Sequence, residues 1–169
     1  SEEVERFIRS ALECKGVPPG DARIVADCLV TANLSGIDSH GVVRLTHYIR
    51  RLELGSIKPD PRITIEHRAP SVLHVDGDDG FGHVVAYRAA QAAAQICREQ
   101  GTATAAIGRS SHFGPASYFL QEAVATGTSD ADGLVHLLNI PEGQYNFEVY
   151  LDDHDTYRDA ITVIPGQAV

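Results

Sequence analysis

Methionine is missing from all 169 residues, position 1 included, so the sequence reads as a processed or trimmed product. No apolar run approaches the ~20 residues that span a bilayer, and no signal-peptide pattern opens the chain, so no membrane partner is expected. Cysteine is scarce and odd in number: Cys14, Cys28 and Cys97 have no metal-ligand spacing. They read as buried helix residues in a reducing, cytoplasmic compartment rather than a disulfide framework. The chain has no Gly-x-Gly-x-x-Gly fingerprint, which leaves a Rossmann site without support. No Ser-His-Asp or Cys-His pairing is legible in the spacing. Basic residues are few, the formal net charge is −9, and no clustered basic face suggests a nucleic-acid partner.

What is present suffices for one modest domain, or a domain with an appendage, at 43% hydrophobic residues. Charge is divided unevenly. Residues 1–128 carry a net of −2 and residues 129–169 a net of −7, which suggests two segments of different origin.

Helical periodicity runs from Glu2 to Lys15, with Val4, Phe7, Ile8, Ala11 and Leu12 in register and Gly16 as a stop. Pro18-Pro19-Gly20-Asp21 starts a second helix whose stripe is Ile24, Val25, Cys28, Leu29 and Ala32. A third is expected from Gly41 to Leu54, burying Leu45, Tyr48, Ile49 and Leu52, with Gly55 as a left-handed cap. Strands are expected at 62–66 and 71–76, with Gly77-Asp78-Asp79-Gly80 as a turn. An Ala-rich helix over 82–100, a short buried strand over 102–107 and a helix over 116–125 follow. Strand, helix, strand, helix in this order indicates α/β packing. The expected architecture is an N-terminal three-helix subdomain, a partial α/β domain and a short antiparallel β-rich tail, with domains at 1–127 and 128–169.

In the tail, Leu134 to Leu138 reads as a strand. Tyr145, Phe147, Val149 and Leu151 alternate with polar neighbours as a half-buried antiparallel strand does, and Ala160 to Ile164 is a last strand. Asp130 to Gly133 lacks the third ligand and closing Glu of a calcium loop, so a hairpin turn is expected and no metal. The other six histidines, His47, His67, His74, His83, His136 and His154, show no ligand spacing and read as surface or half-buried side chains.

Gly36-Ile37-Asp38-Ser39-His40-Gly41-Val42-Val43-Arg44 joins the second helical pattern to the third. Asp and Ser favour helix starts, which sets His40 near a helix N-terminus and Arg44 one turn later on the same face. There the helix dipole would disfavour imidazolium, keeping the ring's titration useful near neutral pH. Imidazole beside guanidinium suits a proton donor and a carboxylate clamp, although an ordinary capped helix would show the same pattern. Later, Ser110-Ser111-His112-Phe113-Gly114-Pro115-Ala116 joins a strand to a helix, where backbone N–H groups can meet a phosphate. A tight turn needing Gly114 for backbone reasons alone would look the same.

Between Val4 and Ala125 the chain resembles the malate/L-lactate dehydrogenase family, the non-Rossmann type that includes ureidoglycolate dehydrogenase-like enzymes. The resemblance rests on Gly16-Val17-Pro18, Asp38-Ser39-His40-Gly41, Arg44 with Tyr48, Gly55 to Pro59, Val75-Asp76-Gly77 and Ser111-His112-Phe113-Gly114, in the family's order. It implies an oxidoreductase that uses NAD or NADP on a small 2-hydroxy or 2-keto acid, and a homodimer. By resemblance, His40 is the proton donor, Ser39 orients it and Arg44 binds the substrate carboxylate. His112, Phe113, Gly114, Pro115 and Ala116 touch the cofactor, although His112 takes the acid/base role in some accounts of the family. Family members run to well over twice this length and place a catalytic Asp further downstream, so the chain reads as truncated or chimeric, its activity impaired. The stretch from Asp130 to Tyr145 resembles part of a carboxypeptidase regulatory-like β-sandwich module, about half of which is present. The contrasting expectation is a catalytically inert domain whose acidic tail associates with another chain.

Overall fold

The computed structural model describes residues 2–123 and the strands 143–149 and 157–163. Contacts divide the chain into two units, 1–124 and 125–169. The first is mixed α/β. It begins with α1 (Glu2–Glu13) and α2 (Pro19–Leu34), then two short 3-10 turns, Asp38–His40 and Val42–Arg44, leading into α3 (Leu45–Glu53). A three-stranded sheet follows, built from β1 (Thr64–Ala69), β2 (Val72–Gly80) and β3 (Thr104–Ser110), with α4 (Gly82–Gln100) between β2 and β3 and α5 (Ala116–Ala123) after them. β1 pairs with β2 antiparallel and β2 with β3 parallel, so α4 is the crossover that a parallel pair requires.

The helical stripes meet as their spacing predicts, except along one flank of α1. Ile8 and Leu12 of α1, Val25 and Leu29 of α2, and Tyr48 of α3 share one buried cluster. Phe7, expected on the buried stripe of α1, is 63% exposed, and Val4 is 42% exposed. In this unit α1 packs mainly on α2, leaving that flank of the helix uncovered.

Three other expectations are corrected. Gly77 to Gly80 is not a turn. β2 runs through it, and the pairing register shifts between Asp76 and Gly80 where Asp78 and Asp79 take φ of 48° and 58°. Turn-forming residues here make a bulge, held by Arg109, which bonds Asp78 at 3.0 Å and Asp79 at 2.7 Å. β3 is largely exposed rather than buried, because it is an edge strand in the order β1-β2-β3. Among the cysteines only Cys28 is buried; Cys14 is exposed, in a turn past the end of α1, and Cys97 is intermediate.

In the second unit, β4 (Gly143–Val149) and β5 (Tyr157–Val163) form an antiparallel pair, from Gly143 opposite Val163 to Val149 opposite Tyr157. The strand expected at Leu134 to Leu138 lies outside the described residues. Among the described residues no helix is long and apolar enough to cross a membrane.

Candidate functional site

The stretch around His40 folds differently from a capped helix. Asp38 makes no cap; its carboxylate accepts from Asn33 Nδ2. Gly41 is extended and interrupts the helical path, so His40 closes one 3-10 turn and Arg44 closes the next. α3 begins only at Leu45. The helix-dipole argument for His40 therefore lapses. Asn33 is the cause: its Oδ1 accepts from the Val42 N–H at 2.7 Å, and a Cβ on Gly41 would sit 2.1 Å from that oxygen. A side chain of α2 thus takes the N–H that a continuous helix would pair with the carbonyl four residues back. His40 and Arg44 still stay together, because the Arg44 Nε–H donates to the Ser39 carbonyl at 2.6 Å. Ser39 Oγ lies 3.0 Å from His40 Nδ1.

The structure brings His112 to the same place. The His40 and His112 rings stack with centroids 5.2 Å apart and planes at 28°. Tyr48, from the buried side of α3, sets its hydroxyl 2.9 Å from His112 Nδ1. Burial pushes the Tyr48 phenol up to about 12, although Arg44 and Arg51 pull the other way. Beside His112, Phe113 is 46% exposed while Gly114 and Pro115 are buried. Gly114 has φ of +79°, and a Cβ there would approach His83 Nε2 to 2.9 Å and Cys28 Sγ to 3.1 Å. From Phe113 an apolar groove of about 280 Å³ runs between α4, β3 and α5, lined by Ala89, Ala93, Ala105, Ile107 and Phe119.

His83 is the residue that spacing missed. Expected at or near the surface, it is 0% exposed, and neither ring nitrogen has a hydrogen-bond partner. Its ring packs edge-on against Tyr48 at 5.2 Å and His112 at 6.2 Å. One signal was available: His83 stands in the apolar run Phe81-Gly82-His83-Val84-Val85. Among the described residues no group of three His, Cys, Asp or Glu is placed to hold a metal ion.

The buried ring predicts a pH dependence of stability. Burial first, then His112 and His40, push the His83 pKa down to about 3 from 6.5. Between those values the unfolded chain binds the extra proton, so stability falls as pH drops through that window, with a slope approaching about 1.4 kcal/mol per pH unit. His83→Leu should remove this component. It should also relieve the two orphaned polar atoms, a gain of about 1–3 kcal/mol at neutral pH. Urea unfolding at neutral and mildly acidic pH checks it; equal acid sensitivity in both proteins would refute the assignment to His83.

The malate/L-lactate dehydrogenase family profile matches residues 1–129, and the chain belongs to that family. It is 41% identical over 126 residues to a malate dehydrogenase of Pyrococcus abyssi, covering 75% of this chain and 35% of that protein. It is 39% identical over 123 residues to an L-sulfolactate dehydrogenase of Methanothermobacter thermautotrophicus, covering 73% and 36%. Among solved structures, malate dehydrogenase from Pyrococcus horikoshii OT3 superposes with a TM-score of 0.70 at 28% identity, covering 95% of this chain and 49% of that one. The chain thus spans about 35% of the length of the curated relatives it matches.

Proposed function

We propose that this chain carries the proton-donor and carboxylate-binding part of a site that interconverts small 2-hydroxy and 2-keto acids, such as malate or lactate, with NAD or NADP. The observation that carries the proposal is the stacking of His40 on His112, from two separate segments of the first unit, with Arg44 tied to the same turn as His40. Relatives named malate and L-sulfolactate dehydrogenase support the same reaction class.

In reduction, His40 gives its proton to the keto oxygen; in oxidation it takes the hydroxyl proton back. Ser39 Oγ orients the ring. Arg44 commits Nε to the Ser39 carbonyl, which keeps its remaining donors for the substrate carboxylate. His112, Phe113, Gly114, Pro115 and Ala116 would hold the nicotinamide end of the cofactor. The fit rests on an exposed imidazole, a half-exposed flat ring and a glycine whose missing Cβ keeps the loop tight. When bound, the cofactor supplies or accepts the hydride at the substrate carbon.

Titrating the chain with NADH and NADPH while following nicotinamide fluorescence tests this proposal. A saturable change with at least one cofactor, sharpened by oxamate, is expected; no saturable change with either would remove it. Further parts of the proposal are a dehydrogenase-like domain at 1–127, an acidic β-rich tail at 128–169, a homo-oligomer, and a cytoplasmic setting that suits three free thiols.

A second reading is an inert domain whose tail associates with another chain. It draws on the β4–β5 pair, since two strands alone are marginal in water. Sedimentation of the full chain and of a chain ending at Gly127 decides it: an oligomer that the truncation dissolves supports association through the tail, and monomers in both count against it.

A further inference from the structure

Two donors converge on one nitrogen of His112. The Tyr48 hydroxyl lies 2.9 Å from Nδ1, and the Gly114 backbone N–H donates to the same atom at 3.3 Å. A backbone N–H has no lone pair to offer, so its partner must accept, and Nδ1 carries no proton in this arrangement. Tyr48 then donates as well, as a buried phenol that keeps its hydrogen. A neutral ring with a bare Nδ1 carries its hydrogen on Nε2. Among the described residues Nε2 has no hydrogen-bond partner, and the His112 side chain is exposed.

We propose that His112 acts as a fixed neutral N–H donor through Nε2, its tautomer set by Tyr48 and Gly114 as positioning residues, and that His40 alone exchanges the proton. The inference deepens the proposed dehydrogenase chemistry and rests on it for the use made of the two rings.

The surroundings of His112 favour the neutral ring from every side. His40 stacks on it from the Asp38–His40 turn, Arg44 comes from the next turn, and His47 and Arg51 come from α3. Partial loss of water around the ring, and then these four groups, hold it below its usual value of 6.5. His83 of α4 packs against it edge-on and is itself neutral. Cys28 of α2, across Gly114, keeps its proton because burial, and then Asp27, push the thiol up to about 12. None of these groups is a carboxylate.

Protonating Nδ1 would set its hydrogen against the Gly114 N–H. Tyr48 can turn its hydroxyl to accept, but Gly114 cannot. Nor can Gly114 move away easily, since the loop around it is seated on His83 and Cys28. A neutral N–H donor suits the oxygen of a keto acid or a carboxamide, which it can orient without competing for the proton that His40 transfers.

The test is a two-bond ¹H–¹⁵N imidazole correlation on the labelled full-length chain, with no cofactor or substrate added. His112 should show an unprotonated Nδ1 and a protonated Nε2, and should titrate below 6.5. Tyr48→Phe, which keeps the ring and loses the hydroxyl, should mix the two tautomers and shift the His112 midpoint upward. An Nδ1–H tautomer in the wild type, or a ring protonated on both nitrogens at neutral pH, would overturn the proposal, and that result does not depend on how the variant folds. A folded Tyr48→Phe protein with an unchanged spectrum would overturn the role of Tyr48. Because no nicotinamide is present, failure here is distinct from failure of the cofactor titration.

Discussion

Gly82→Ala is expected to destabilise the fold by about 4 kcal/mol or more, and to displace His112 with it. Elsewhere in a helix, Gly→Ala stabilises by about 0.5–1 kcal/mol, because alanine loses less backbone freedom on folding. Gly82 opens α4 without a positive φ, so its backbone conformation gives no reason for glycine. The reason is steric. A Cβ there would lie 2.1 Å from the Ser111 carbonyl oxygen and 2.5 Å from the His112 carbonyl carbon and oxygen. These are backbone atoms, which cannot swing aside as a flexible side chain can. The Gly82 N–H also donates to Ser111 Oγ at 3.0 Å, so α4 and the 110–116 loop are joined where the methyl would intrude. Gly20→Ala is the control. It lies in the first turn of α2, and nothing comes within 4 Å of its Cβ. Urea unfolding of both variants should separate them clearly. A Gly82→Ala protein as stable as wild type, with unchanged His112 ring resonances, would show that α4 does not brace this loop.

His40→Ala is expected to lower turnover of a 2-keto acid by ~10²–10⁴, the usual contribution of a positioned general acid. Cofactor affinity should change far less, because the residues proposed to hold nicotinamide lie on the 112–116 loop. His112→Ala should behave differently. It removes the donor proposed to orient substrate or cofactor, so binding should weaken alongside turnover. The comparison is made by steady-state kinetics together with the fluorescence titration. A His40→Ala protein within a few-fold of wild-type turnover would transfer the acid role elsewhere. Ser39→Ala should fall between, since the hydroxyl only steadies the ring at 3.0 Å.

Much of the fold can be read along the chain because it depends on local periodicity. Val25, Cys28, Leu29 and Ala32 of the α2 stripe are buried as their spacing predicts, with Ile24 half-buried beside them, and Gly55 closes the α3 segment at φ of +68°. Errors arose where a distant side chain changed a local rule. Asn33 broke the helix expected through Gly41, and Arg109 gathered Asp78 and Asp79 into a bulge where turn residues stood.

By itself, then, the amino-acid order determined most of the helices, the α/β alternation of the first unit, the family and which residues are the candidate donor and clamp. These follow from patterns repeated every two to four residues or from motifs a few residues long. Only the tertiary structure decided that His40 and His112 stack, that Tyr48 and Gly114 share one nitrogen of His112, and that His83 lies buried behind them. Those relations join three separate segments of chain. No spacing within any one segment encodes the distance to another; packing sets it, through which side chains must leave water together.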